Sequence, residues 1–368
     1  MNYVIAFISA FVLSVIFTLI IKKVAFKLNI VDYPKLARKI HKKPVAFMGG
    51  LAIFLSFTIV VFYYSFFTDF IIKDFISQKH IIGLFIASLV IIVGGVLDDK
   101  FDLPAKLQIM FPVVAVLIIV ISGIGITHIR NPFGGEIRFD QWEIVMFWWQ
   151  GVPYKFTVFA DMFTFIWLMG MTYTTKLLDG LDGLVSGITI IGAIIIFIVA
   201  MTTIVAQPNT ALISLVLAGA FLGFLIFNWH PAKIFLGEGG SLYAGLMLGV
   251  LAILSGSKVA TTLLIFGIPI LDVIYIILWR IKEGKNPFST SDKKHLHFRL
   301  LDIGMSHRQA VIFYWFLTLC FGLSALIFQT LGKFITMIIL IIVMIIISIT
   351  LFIIYRKKER LDNQENLS

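Results

Sequence analysis

Apolar residues recur in stretches of about twenty, the length that carries an α-helix across ~30 Å of hydrocarbon at ~1.5 Å per residue. By that criterion the chain predicts spans near residues 3–21, 47–67, 81–97, 107–127, 156–175, 184–205, 209–228, 240–256, 259–279, 309–331 and 334–355. Short polar connections separate them, so the expected fold is all-α: a polytopic membrane protein with about eleven transmembrane helices. Residues 1–355 form one domain in this reading, and 356–368 form a polar tail. Asp161 interrupts the fifth run and several glycines thin the eighth. Between the fourth and fifth runs, NPFGGEIRF places Gly134 and Gly135 between extended-looking segments, which predicts a small hairpin.

Composition agrees with the pattern. Sixty per cent of the residues are hydrophobic and only 14% are charged, which excludes an ordinary soluble globular chain. Residues 1–21 lack a basic leading segment and a small-residue cleavage site, so they read as a retained first span. The single Cys320 excludes an intramolecular disulfide. Of the 30 Lys and Arg residues, 23 fall in one alternate set of loops plus the C-terminal tail. Basic residues are retained on the cytoplasmic side, so the N-terminus is expected outside and the C-terminus in the cytoplasm. The net charge of +10 is thereby a property of the inward face, where it also favours contact with anionic membrane lipids. No nucleic-acid partner is implied.

The acids and histidines fall in the same inward loops. GGVLDDKFDL carries Asp98, Asp99 and Asp102, LLDGLDG carries Asp179 and Asp182, and FLGEGGS carries Glu238. Asp98 and Asp99 are adjacent like charges, costly unless a proton or a cation relieves them, and Mg²⁺ is held by one or two carboxylates plus substrate phosphates. Asp179 and Asp182 are three residues apart and would share a face on a helix. Their doubled Asp-Gly step, tightly bounded by apolar runs, points to ligand binding more than to an idle turn. In HLHFR, His295, His297 and Arg299 make a phosphate clamp, whereas zinc ligation is disfavoured by the spacing and the lack of a cysteine partner. Asp272, in the middle of the ninth run, is expected to be a buried acid paired with a polar neighbour.

Five ordered motifs resemble one family along nearly the whole chain: RKIHKKPVAFMGGLAI, GGVLDDKFDLPAKLQ, KLLDGLDGLVSG, FNWHPAKIFLGEGGSLYAG and DKKHLHFRLLDIGMSHRQAV. They are similar to those of the polyprenyl-phosphate N-acetylhexosamine-1-phosphate transferases, in particular the bacterial branch using UDP-N-acetylglucosamine. The resemblance implies Mg²⁺-dependent transfer of a sugar-1-phosphate, with Mn²⁺ as a substitute ion. The donor would be a UDP-sugar, the acceptor undecaprenyl phosphate, and the site the cytoplasmic face of the inner membrane. It implies catalytic roles for Asp98, Asp99, Asp179 and Asp182, and metal binding by Asp99 and Glu238. Substrate binding is expected of Arg38, His41, Lys176, His295, His297 and Arg299. Three residues depart from the family pattern: Lys176 for the usual Asn, Glu238 for Asp and Phe298 for His. An ammonium at 176 would repel Mg²⁺ or pair with Asp179 or the diphosphate, so a divergent carrier-lipid binder is one alternative. A secondary transporter is the other, but only Asp161 and Asp272 fall inside predicted spans.

Overall fold

The computed structural model describes residues 2–34, 44–68, 70–73, 76–149, 152–202, 205–256, 259–284 and 295–365. Helix α1 (Asn2–Lys27) leads into a short antiparallel pair, β1 (Val31–Asp32) with β2 (Val45–Ala46). Then come α2 (Gly49–Phe66), α3 (Gln78–Phe101) and α4 (Ala105–Ile121). Two antiparallel hairpins follow, β3 (His128–Arg130) with β4 (Glu136–Arg138), and β5 (Glu143–Trp149) with β6 (Val152–Thr157). The remainder is helical: α5 (Val158–Leu178), α6 (Leu184–Met201), α7 (Pro208–Asn228), α8 (Gly237–Leu254), α9 (Val259–Ile265), α10 (Gly267–Lys282), α11 (Leu296–Asp302), α12 (His307–Ile327) and α13 (Thr330–Glu365). In hydrocarbon a chain must satisfy its backbone groups within itself, which is why each apolar run becomes a helix.

Every predicted span overlaps a helix, but not every helix is an unbroken crossing. Among the described residues, eight are long and apolar enough to cross a membrane, or nine if a bent pair counts as one. Length and composition therefore establish a multi-pass membrane protein with eight or nine of the eleven expected crossings. The other two runs give α4, with 17 residues, and α5, which carries Asp161 and Lys176. The bent pair is α9 and α10, which meet at 76° where one continuous ninth span was expected. Pro269 has no N–H to offer the carbonyl four residues back, so the α9 ladder stops, and Ile270 N–H resumes it on Phe266 O at 2.9 Å.

The Gly-Gly hairpin is present as β3–β4, with Gly134 and Gly135 at φ of 114° and 76°. The β5–β6 hairpin was not expected: its residues fall mostly in the connection between the fourth and fifth predicted spans. At the other end, α13 continues to Glu365, beyond the start of the expected polar tail.

Helix α8 forms the centre, with 89% of its span buried. Its glycines explain why three helices can crowd it. A Cβ on Gly95 of α3 would lie 2.1 Å from Gly239 Cα, one on Gly50 of α2 would lie 2.3 Å from Gly240 Cα, and one on Gly245 would lie 2.4 Å from Met171 O of α5. Association in lipid depends on such close packing, because lipid tails are as apolar as the helices. The α1–α7 contact uses the same device: Gly219 and Gly223 face Phe7 O and Phe11 O, and Ser14 Oγ donates to Ala220 O at 2.6 Å.

Gly223→Val should force α1 away from α7, since a Cβ there would lie 2.5 Å from Phe11 O. We expect a loss of about 1–3 kcal/mol, the usual cost of overpacking, read as a lower unfolding temperature in detergent. An unchanged temperature would contradict this packing.

Candidate functional site

Asp98 and Asp99 occupy the last turn of α3, where the helix leaves its apolar stretch. Asp98 Oδ1 accepts from Leu103 N–H at 2.9 Å and from Gln108 Nε2 at 3.0 Å, so the chain reversal into α4 fixes this carboxylate. Asp99 Oδ1 accepts from Glu238 N–H at 3.0 Å, at the first turn of α8. A free helix N-terminus offers unsatisfied N–H groups and partial positive charge, and here the chain supplies its own anion. Gly237, at φ 76°, permits the approach: a Cβ there would come 2.4 Å from Asp99 Oδ2. In FLGEGGS, therefore, Gly239 and Gly240 serve helix packing, and Gly237 serves the carboxylate contact.

Asp179 and Asp182 lie in the turn between α5 and α6 and not on one helical face, because Gly180 and Gly183 interrupt the helix. Gly183, at φ 80°, precedes α6 and donates its N–H to Asn228 Oδ1 at 3.0 Å. Asn228 Nδ2 in turn donates to Ile234 O at 3.1 Å, tying this turn to the segment before α8. Asp182 Oδ2 takes His230 Nδ1–H at 2.7 Å and Ala232 N–H at 3.1 Å.

These groups surround one cavity of about 940 Å³. Asp98, Asp99, Lys176, Asp179, Asp182 and Glu238 all line it, so six of the residues singled out in the sequence converge there. Among the described residues, Asp32 adds a further lining carboxylate, and Lys176 and Lys233 are the lining cations. Asp179 opens onto this space, but the surrounding protein displaces enough water to push its carboxyl up to about 8. Removal from water is the largest cause, followed by the charges of Glu238, Asp99 and Asp182. Water filling the cavity screens part of that effect. Lys176 forms an ion pair with Glu238 Oε1 and donates to Gln108 Oε1 at 3.1 Å.

Among the described residues, an excess of carboxylates over cations around an open cavity fits a hard divalent ion that shares its coordination with substrate oxygens. Asp182, His230 and His307 also bring potential ligand atoms within 4.8 Å of one another. The two imidazole rings, however, stack with centroids 4.0 Å apart and 13° between their planes. Their in-plane lone pairs run nearly parallel and do not converge on one ion at ~2.0 Å from each nitrogen.

The other sequence-assigned residues are placed differently. His295 Nδ1 pairs with Asp272 Oδ2 at 2.9 Å, and Asp272 Oδ1 accepts Leu296 N–H at 2.9 Å, so Asp272 is the buried, paired acid that was expected. Arg299 donates to Ser348 O at 2.9 Å and lies over the Tyr275 ring. His297 is fully buried, neither ring nitrogen has a hydrogen-bond partner among the described residues, and its Nε2 lies 2.2 Å from where a Cβ on Gly180 would sit. None of these three lines the cavity. Arg38 and His41 lie outside the described residues. Gln108, Asn228, His230 and His307 were quoted within motifs but given no role; polar residues inside PAKLQ, FNWHPAK and SHRQ were the available signal.

Residues 81–256 match the family model described as glycosyl transferase family 4. Over 345 residues the chain is 33% identical to a Bacillus subtilis protein named "probable undecaprenyl-phosphate N-acetylglucosaminyl 1-phosphate transferase", covering 92% of this chain and 88% of that one. It is 30% identical to a decaprenyl-phosphate N-acetylglucosaminephosphotransferase of Mycolicibacterium smegmatis, covering 85% and 79%. With an undecaprenyl-phosphate alpha-N-acetylglucosaminyl 1-phosphate transferase of Yersinia pestis it shares 26% identity, covering 89% and 84%.

Burial, then His295 and His307, hold His297 neutral with its pKa lowered to about 3, against about 6.5 in an unfolded chain. Its contribution to stability is complete above the unfolded value and is lost as pH falls towards 3, because only the unfolded chain takes up the proton. His297→Phe should therefore lose less unfolding temperature than the parent between pH 7.5 and 5 in detergent. Parallel curves would contradict the burial of a neutral ring.

Proposed function

The chain belongs to the polyprenyl-phosphate N-acetylhexosamine-1-phosphate transferases, and from that premise we propose how it works and where. It transfers N-acetylglucosamine-1-phosphate to a polyprenyl phosphate carrier. In our reading the donor is UDP-N-acetylglucosamine, the carrier is undecaprenyl phosphate, and UMP is released at the cytoplasmic face of a bacterial inner membrane. The distribution of basic residues supports that face, and the charge balance of the cavity supports Mg²⁺ as the required ion, with Mn²⁺ as a substitute.

The observation that carries this reading is the meeting of Asp98, Asp99, Lys176, Asp179, Asp182 and Glu238 around one cavity at helix ends. An oxygen of the lipid phosphate attacks the sugar-bearing phosphorus, and the bond from that phosphorus to the bridging oxygen breaks as UMP leaves. Little covalent work falls to the protein, so positioning and charge neutralisation dominate. A bound divalent ion supplies positive charge to the diphosphate oxygens. Asp98, held by Leu103 N–H and Gln108, positions the lipid phosphate or takes its residual proton. Asp99 and Asp179 would hold the ion, and Glu238 could join them only if its pair with Lys176 opened. Asp182, held by His230 and Ala232 N–H, contacts the nucleotide half of the donor. His295, His297 and Arg299 act from behind the cavity wall, through the Gly180 turn against which His297 packs.

The purified protein should release UMP from UDP-N-acetylglucosamine only when undecaprenyl phosphate and Mg²⁺ are both present. Chelation should stop the release, and added Mg²⁺ or Mn²⁺ should restore it. Asp98→Asn and Asp99→Asn each retain an amide oxygen that can accept the existing backbone hydrogen bonds. Each should lower turnover by about 100-fold or more while the unfolding temperature changes little. Near-normal turnover in either variant would remove that residue from the reaction.

A further inference from the structure

The two substitutions at 176 and 238 meet in space. Lys176, near the end of α5, forms an ion pair with Glu238 in the first turn of α8, and both side chains are mostly buried at 16% and 18% exposure. The same ammonium donates to Gln108 Oε1 at 3.1 Å, and Gln108 Nε2 passes the constraint to Asp98 Oδ1 at 3.0 Å and to Leu103 O at 2.9 Å. Residues from α3, α4, α5 and α8 are thus joined in one chain of contacts, Glu238 to Lys176 to Gln108 to Asp98. The ammonium donates to Gln108 and sits beside Glu238 as its ion-pair partner, and its side chain lines the cavity.

We propose that Lys176 is a resident cation of this carboxylate cluster, with Glu238 as its counter-ion. Glu238 is thereby withdrawn from the divalent-ion set, and Gln108 becomes a positioning residue that holds Asp98 towards the cavity. The inference rests on the reading that a divalent ion acts in this cavity, and it deepens that reading by assigning the cluster's charge balance. An ammonium next to the carboxylates neutralises one negative charge permanently, so the site binds a divalent ion with fewer carboxylate ligands and lower affinity. Because its side chain lines the cavity, the ammonium can also meet a phosphate oxygen of the donor. A glutamate left alone at 238 would leave the cluster one charge richer and able to hold the ion more tightly.

Mn²⁺ binding to the full-length protein in detergent, read from the electron paramagnetic resonance signal of the free ion, tests this without turnover. Lys176→Asn should bind Mn²⁺ at least about tenfold more tightly than the parent, since it removes a charge and frees Glu238. Glu238→Gln should change the affinity by less than about threefold while Lys176 is present, and should reverse the gain when combined with Lys176→Asn. Lys176→Gln serves as a second variant if Lys176→Asn is poorly folded. No gain at 176, or loss of Mn²⁺ binding in Glu238→Gln alone, overturns the assignment while leaving the divalent-ion reading intact. Absence of Mn²⁺ binding in every variant overturns both. Gln108→Glu, which keeps an acceptor for Lys176 but loses the donor to Asp98, should lower turnover with an unchanged KM for the donor; a change confined to KM would deny Gln108 its positioning role.

Discussion

Asp99 accepts a hydrogen bond from the backbone N–H of Glu238, and the loops of the site are organised around that contact. It seats the end of α3 on the start of α8, and Gly95 against Gly239 brings the two backbones close enough for it to form. The segment from β2 into α2 is laid against the same point: Phe235 N–H bonds Ala46 O, Gly49 N–H bonds Phe235 O, and Gly50 N–H bonds Leu236 O. Once those chains are pinned, Glu238 faces Lys176, Asn228 faces the turn before α6, and the cavity has its walls. A side chain at Gly237 or Gly95 would disturb the site before it touched any substrate.

The arrangement is electrostatically costly. Carboxylates crowded against one another at the edge of a membrane raise the energy of the folded state, and at Asp179 removal from water and then the charges of Glu238, Asp99 and Asp182 push the carboxyl up. Such clusters persist where something else relieves the charge. Here two kinds of relief belong to the fold: N–H groups at the start of α8 and around residues 103 and 232, and the ammonium of Lys176. The divalent ion proposed above would add a third and would link ion binding to substrate binding. That linkage suits a transfer in which phosphate must approach phosphate.

Much of this was legible in the chain. Apolar length gave the positions of the helices, because lipid leaves the backbone no other partner. The acids were legible as a group because all of them lie at helix ends that charge asymmetry assigns to one face. What sequence spacing could not reveal was direction. His295 and His297 read as a phosphate clamp, yet one is engaged by Asp272 from α10 and the other lies under Gly180, contacts made between segments far apart in the chain. Lys176 read as an intruder because its partner is 62 positions away on a helix whose adjacency only the glycine contacts of α8 create. The break at Phe266–Gly267 was hidden inside an unbroken apolar run, with Pro269 as its local sign. The β5–β6 hairpin was hidden because aromatic and β-branched residues suit a strand as well as a membrane interface.

The central claim is that a nucleotide-activated donor binds in the cavity walled by the α5–α6 turn and the segment before α8. Photocrosslinking of the purified protein with a 5-azido-uridine analogue of UDP-N-acetylglucosamine, followed by peptide mapping, tests it most directly. The account predicts label within residues 176–184 and 228–238, competed away by UDP-N-acetylglucosamine. Competable label confined to the hairpins at 128–157, with none on those two segments, would contradict it.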